Sequence, residues 1–436
     1  MKFNKYYFLI RQLVILGLLC LCLAPDEYTH ALDSTHYKGV PGQNTLSARN
    51  VILVGNNWDG TIDIYDPNGF KRIKVLDAVP DKAERLNELK NRIDKQVMSW
   101  LIKKLIGEGN HQLVDDMFTS HDGTRIFISR PSFADVVAMD IHSGTIIWRT
   151  PIEGYRSDHA AISPDGKILL VSASTARKVH AIDTESGAIV GGFASGDSPH
   201  ENSFSQDGNT IFHASIGRVY LPTSNRLINY LKGDRYFQIV DATNYKILQR
   251  IDMAKKLQDF GMPWHESAVR PMAISPDANI VFMQISFFHG IVEYDVKREL
   301  VSRILRLPIP DETKALRPSQ YNLNSAHHGI AINSDGTKLC VAATMSGYAA
   351  IVDTASFEYH TIKLASYVSD AKPYWATKSA DGKDCYVSVS NQDRVAVISF
   401  EDAHETASLP VGRHPQRIRL GKMAPELPKK KQLVGG

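Results

Sequence analysis

An all-β, seven-bladed β-propeller is the fold class this sequence predicts, and three observations predict it. An Asp-Gly turn followed by a short apolar run recurs through the 436 residues. Each recurrence supplies four short strands about every 40–45 residues, the size of a propeller blade. An incomplete unit near the N-terminus finds its missing strand at the C-terminus, so the ends can pair and close the ring without leaving exposed sheet edges.

The elements follow in chain order. Lys2, Lys5 and Arg11 precede an uncharged apolar stretch from Leu13 to Ala24 and a polar stretch ending Thr29-His30-Ala31. This is the three-part layout of a secretory signal, so residues 1–31 are expected to be removed and the mature chain to be periplasmic or secreted. The apolar run is shorter than the ~20 residues that span a bilayer comfortably, so an uncleaved anchor is the lesser reading. No integral membrane domain is expected after signal removal. Cys20 and Cys22 have no small residue directly before them, which argues against lipid attachment.

The propeller is expected over residues 48–421. Residues 51–66 carry the two middle strands of a first, split blade, and Pro415 to Gly421 supplies its inner strand. The complete units have their turns at Gly123, Gly166, Gly208, Ala278, Gly336 and Gly382, each preceded by aspartate. An Asp-Gly pair suits a tight turn because Asp accepts backbone hydrogen bonds and Gly takes positive φ. The runs that follow, such as Ile-Leu-Leu-Val-Ser and Leu-Cys-Val-Ala-Ala, are apolar on both faces and must be covered by neighbouring blades.

Three insertions interrupt the period. Residues 81–107 place Leu86, Leu89, Ile93, Val97, Leu101 and Leu105 at helical spacing, which predicts one amphipathic helix packed on the rim, with a lid or partner-docking helix as the other reading. Residues 215–234 and 308–326 are expected to be loops above one face, and long loops in compact domains are often functional. Residues 422–436, with the basic run Pro428 to Lys431, are expected to form a solvated tail. Cys340 and Cys385 each follow an Asp-Gly turn in consecutive repeats. They are read first as buried free thiols, with pairing across a blade interface as the alternative.

The string from His159 to Gly187, with its Ser-Pro-Asp-Gly, Val-Ser and Ile-Asp-Thr-x-Ser-Gly, resembles the WD40-like YVTN repeat family, including the YncE-like periplasmic proteins. The resemblance covers roughly residues 48–421 and implies a periplasmic seven-bladed ring. The chain departs from the pattern in its split first blade, its longer fourth and fifth repeats, and Ala278 in place of the turn glycine.

With 43% hydrophobic and 22% charged residues the chain can bury a large core, and its net charge of +3 comes with no basic stripe of the kind nucleic acid requires. No haem-attachment Cys-x-x-Cys-His, phosphate-cradling Gly-rich loop, His-Glu-x-x-His or Gly-x-Ser-x-Gly string is present. What recurs is a histidine ahead of the inner strand: His159, His200 and His328, with Asp116 in the slot of His159. His265 and Glu266 lie upstream of the fifth inner strand, His327 neighbours His328, and His414 precedes the closing strand.

Inner strands line the axis, so these residues should converge at one funnel mouth. Neutral imidazoles beside carboxylates suit Zn, Cu, Ni or Fe, which makes His159, His200, His265, His328 and Asp116 candidate metal ligands. Nitrous oxide reductase carries a histidine-lined copper site on a similar ring, but this chain lacks that enzyme's second copper domain. The plainer reading has each histidine bonding the neighbouring blade. Arg270, Arg413 and Arg417 with Glu201 and Glu266 form a second constellation, in which arginine forks hold a carboxylate or phosphate and a His-Glu pair acts as base. That is the logic of lactonase-type propellers, and inter-blade salt bridges are its structural counterpart. Candidate catalytic residues are therefore His200, Glu201, Glu266 and Arg270, and candidate ligand contacts His327, Arg413 and His414.

The leading expectation is a monomeric binding module that takes a small ligand, a metal or a protein partner at the funnel mouth. The alternative is an enzyme, either a metal-assisted oxidoreductase or a lactonase-like hydrolase. A third reading, a surface interaction protein, would use the helix at 81–107.

Overall fold

Seven four-stranded sheets stack in a ring in the computed structural model, which describes residues 35–36, 47–221, 226–262 and 266–426. Blade 1 is built from both ends of the propeller: Arg49–Asn56, Thr61–Tyr65 and Arg72–Asp77 are joined by Pro415–Met423 as the inner strand. The closing pair is antiparallel, with Ile52 opposite Leu420 and Val54 opposite Ile418. Blades 2 to 7 open with inner strands Asp116–Thr119, Ser157–Ile162, Pro199–Phe204, Val269–Ile274, Gly329–Ile332 and Pro373–Lys378. The longer fourth and fifth repeats are complete blades. Thr35–His36 adds a fifth, outer strand to blade 2.

The turn that follows the inner strand repeats one hydrogen-bond device in five of the blades. In blade 3 Ser163 Oγ donates to Asp165 Oδ1 at 2.6 Å and accepts from Ile168 N at 2.9 Å, while Asp165 Oδ1 accepts from Lys167 N. The pairs Ser120–Asp122, Ser205–Asp207, Ser275–Asp277 and Ser379–Asp381 do the same. Local side-chain to backbone bonds of this kind fix the reversal before any blade packs on its neighbour. Ala278 holds the glycine conformation of this turn at φ 57°.

The core lies between blades. Val51, Leu53, Ile62 and Ile64 of blade 1 pack against Met117, Ile126, Ile128 and Val137 of blade 2, and equivalent layers follow around the ring. Both faces of each central strand are covered, so its residues are mostly apolar, and each fully buried Val or Ile contributes about 1.5–3 kcal/mol.

Two expectations are corrected. Cys340 and Cys385 are not free thiols: they form a disulfide with Cα atoms 6.4 Å apart. The repeat places them on the second strands of blades 6 and 7, Lys338–Ala343 and Asp384–Val389, whose facing side chains share one apolar layer. Nor is 81–107 a single helix. It breaks at Asn91 and Arg92 into α1 (Lys82–Lys90) and α2 (Ile93–Leu105). Leu86 and Leu89 pack against Val79, Leu113 and Phe133, whereas the break turns Ile93 and Val97 to solvent and α2 buries Leu101 and Ile102 instead. A further helix, α3 (Met253–Asp259), links blades 4 and 5, with Asp252 capping it through Ala254 N. The closing strand runs to Met423, two residues into the expected tail. The expected signal, 1–31, lies outside the described residues.

Candidate functional site

The site is assembled by register. Taking the residue one ring-step from each inner hairpin, the strand pairings place Asp115, Asp158, His200, Arg270, His328, Tyr374 and Gln416 at one equivalent position of blades 2 to 7 and 1. The next position holds Asp116, His159, Glu201, Pro271, Gly329, Trp375 and Arg417. Two tiers of seven residues thus ring the axis. Gly329 has no alternative in its tier, because a Cβ there would stand 2.7 Å from the Trp375 backbone.

Bonds between blades fix the upper tier. Ser129 Oγ donates to the Asp158 carbonyl at 2.9 Å, Ser172 Oγ to the His200 carbonyl at 2.9 Å, and Ser388 Oγ to the Gln416 carbonyl at 2.8 Å. In blade 6 Gln284 Nε2 donates one residue further on, to the carbonyl of Gly329 in the other tier. The side chains are therefore carried on backbone held from both sides, the preorganisation that binding sites need.

His159, His200 and His328 come together. One nitrogen from each lies within 4.8 Å of the other two, and all three rings are buried. His200 Nε2 and His328 Nε2 face each other at 3.3 Å. His159 Nδ1 meets Glu201 Oε2 at 2.6 Å, and Arg417 Nη2 donates to His159 Nε2. With Arg417 donating to Nε2, the His159 ring carries its proton on Nδ1, where Glu201 Oε2 accepts it. The Nδ1 atoms of His200 and His328 have no partner among the described residues.

Burial holds all three imidazoles well below the usual histidine range. Arg417 adds to it at His159 and His328, and the His328 ring and Arg270 add to it at His200. Burial also pushes the Asp115 carboxyl up to about 7 against the pull of Arg417, and the Glu201 carboxyl up to about 8 against Arg419 and Arg417. Around them the charges are largely paired. Arg419 grips Asp116 through Nε and Nη2 at 2.8 and 2.7 Å, and Arg156 binds Asp158 and, at 3.1 and 3.0 Å, Gln112. Gln112 follows the helical insertion, and Lys372 of blade 7 pairs with Glu108 of the same segment, so the insertion closes over one side of the mouth.

The other candidates stand apart. Asp116 is committed to Arg419 and the Ala160 amide. Glu266 is buried against Lys232 and Arg235 of the 215–234 loop; burial would raise its carboxyl, but those two cations hold it below its usual value. His327 is edge-on to His289 with ring centroids 5.3 Å apart, and neither of its nitrogens has a partner among the described residues. His414 stacks on Trp58 at 3.9 Å. Arg413 is 65% exposed and pairs with Asp59. His265 lies outside the described residues. The 308–326 loop reaches this face, where the Leu323 carbonyl accepts from Arg270 Nη2.

Sequence reasoning missed Asp115, Asp158, Arg156, Tyr374 and Trp375. A signal for most of them existed: counting back seven and six residues from each turn aspartate, Asp122 through Asp381, lands on both tiers. Looking only for histidines hid the positions that carry other side chains.

The sequence matches no family model and no curated relative. Solved structures share its fold. Hydrazine synthase of Kuenenia stuttgartiensis is similar over 69% of this chain and 88% of its own, at 16% identity and a TM-score of 0.52. The dihydro-heme d1 dehydrogenase NirN, solved in complex with DHE, is similar over 87% of this chain and 77% of its own, at 11% identity and a TM-score of 0.53. At such identities the likeness is one of fold.

Proposed function

We propose that this propeller is a metal-binding module of the YVTN type, exported to the periplasm or secreted, that holds one transition-metal ion between His159, His200 and His328. The observation that carries the reading is the approach of His200 Nε2 to His328 Nε2 at 3.3 Å in a buried site where neither ring is charged. A tetrahedral centre with metal–nitrogen bonds of about 2.0–2.1 Å separates its ligands by about 3.4 Å. Two facing neutral imidazoles share one proton at best, whereas a cation between them uses both lone pairs. Glu201 supplies the outer carboxylate that orients a ligating histidine. His159 joins as the third ligand where Arg417 Nη2 gives up its Nε2, and three protein nitrogens would leave a position for an external ligand, the arrangement through which such a metal polarises a carbonyl or activates water.

A catalytic role is the second reading; the two structural neighbours are enzymes by name, and what they share with this chain is the fold. Elemental analysis of untagged protein from the periplasmic fraction tests both location and metal. The parent should begin at Leu32 and carry about one equivalent of Zn, Cu, Ni or Fe, which His200→Ala/His328→Ala should lose. A metal-free parent, prepared without chelator, would sink the reading.

A further inference from the structure

The connections between strands fall on two opposite faces of the ring. Each inner strand begins at the mouth, where the two tiers lie. The link from an outer strand to the next blade, and the link from second to third strand, therefore open on the mouth face. The other two turns of each blade open on the far face. Charge divides in the same way. The far-face turns are held by aspartates that accept from backbone N–H groups, among them Asp122, Asp140, Asp165, Asp183, Asp207 and Asp241. The whole chain carries +3, so acid gathered there leaves an excess of base elsewhere.

Exposed apolar side chains divide with the charge. α2, in the link from blade 1 to blade 2, buries Leu101 and Ile102 and meets blade 3 where Tyr155 Oη donates to Asp94 at 3.2 Å. Its outward side repeats at i, i+4 and i+7: Ile93, Val97 and Trp100 are 81%, 45% and 51% exposed. Lys104 continues that stripe one turn beyond Trp100, with Lys103 beside it. Other links on the mouth face add exposed Phe260, just after α3, and exposed Ile309 and Tyr367. Among the described residues no far-face turn exposes a large apolar side chain.

Apolar points spread round a rim fit a flat surface better than a single groove. A tryptophan with aliphatic neighbours and lysines one turn away is the composition of a helix that lies in a membrane interface, its ring among the headgroups and its ammonium groups at the phosphates. Anionic lipid repels the acidic far face, so the protein's own charge distribution turns the mouth toward it.

We propose that the mouth face of the propeller docks on an anionic phospholipid surface, with α2 inserting Ile93, Val97 and Trp100 while Phe260, Ile309 and Tyr367 touch it round the rim. The funnel then opens toward the bilayer. The docking stands on exposed residues alone, so it holds whether or not the histidines carry a metal.

Untagged mature protein is sedimented with vesicles of phosphatidylcholine and phosphatidylglycerol in equal parts, and with vesicles of phosphatidylcholine alone. It should follow the anionic vesicles only, and less so at about 1 M salt, where the Debye length is about 3 Å. Ile93→Ser/Val97→Ser/Trp100→Ser should weaken the partition about tenfold or more at an unchanged melting temperature, because the three side chains already face solvent. Val190→Ser/Leu248→Ser, on outer strands, should bind as the parent does. Should the triple variant fail to fold, tryptophan fluorescence decides: anionic vesicles must shift the parent's emission to the blue, and Trp100→Phe must lose most of that shift. No sedimentation with anionic vesicles, equal sedimentation with phosphatidylcholine, undiminished binding by the folded triple variant, or the same loss in the outer-strand variant would each overturn the docking. Self-association of the parent that the triple variant loses, with no vesicle binding by either, would assign the face to a second copy of the chain and overturn it as well.

Discussion

At the scale of single residues, the site is governed by which groups burial leaves uncharged. His159, His200 and His328 are neutral because water is excluded and because arginines stand near, and Glu201 serves by fixing where the His159 proton sits. Glu201 is therefore a positioning residue. Glu201→Gln keeps the shape but allows the ring to turn or change tautomer, and metal affinity should fall by about 10–100-fold while the circular dichroism and melting temperature of the metal-free protein stay near the parent's. A competition titration with a chromophoric chelator measures it, and an unchanged affinity would remove Glu201 from the site.

At the scale of elements, short strands carried by stiff turns do the positioning, and the insertions decide access. The Ser-x-Asp turn sets where the inner strand ends in five blades, and a serine or glutamine of the second strand ties that blade to the next, which brings the tier residues to one end of the ring. The break at Asn91 and Arg92 redirects α2 and leaves Ile93 81% exposed, which a continuous helix would have buried. Between blades 6 and 7 the disulfide closes a loop with a sequence separation of 45. The chain-entropy relation gives a stabilisation of about 4 kcal/mol for a loop of that length, within a typical range of about 2–4. Cys340→Ala/Cys385→Ala should lower the denaturant midpoint accordingly, and reductant should shift the parent's midpoint but not the variant's. Equal midpoints for parent and variant under oxidising conditions would show the bond to be absent.

At the scale of the whole molecule, the ring stores many neutral histidines. Burial lowers His414 to about 2, His213 to about 3 and His289 to about 4, all outside the proposed metal ligands. A histidine whose folded pKa lies below its unfolded value binds more protons when the chain is unfolded, so its contribution to stability is present above about 6.5 and is lost as the pH falls below it. Each such group costs about 1.4 kcal/mol per pH unit in that window. Buried aspartates act in the same direction at lower pH: Asp135, which burial would raise but Arg130 and Arg149 hold down, loses its stabilisation as it protonates. Urea midpoints should therefore drop steeply from pH 7 to pH 5. A flat profile across that interval would mean that these rings are solvated in the native state.

The sequence by itself determined the repeat, the number of blades, the closure through Pro415–Met423 and the gathering of His159, His200 and His328, because each follows from a local motif at a fixed period. Turn chemistry and apolar runs act over a few residues and so are written in the order of the chain. Tertiary structure alone decided the rest. Cys340 and Cys385 pair because adjacent blades bring their Cα atoms to 6.4 Å, a distance no spacing encodes. Arg413, in the turn before the closing strand, is exposed, while Arg417, four residues later and inside that strand, is buried at the axis. Arg270 lacks a counter-charge because Glu266, four residues before it, is held by Lys232 and Arg235 from a distant loop. Partner choice among buried charges depends on distances across the ring, and those exist only once the ring is closed.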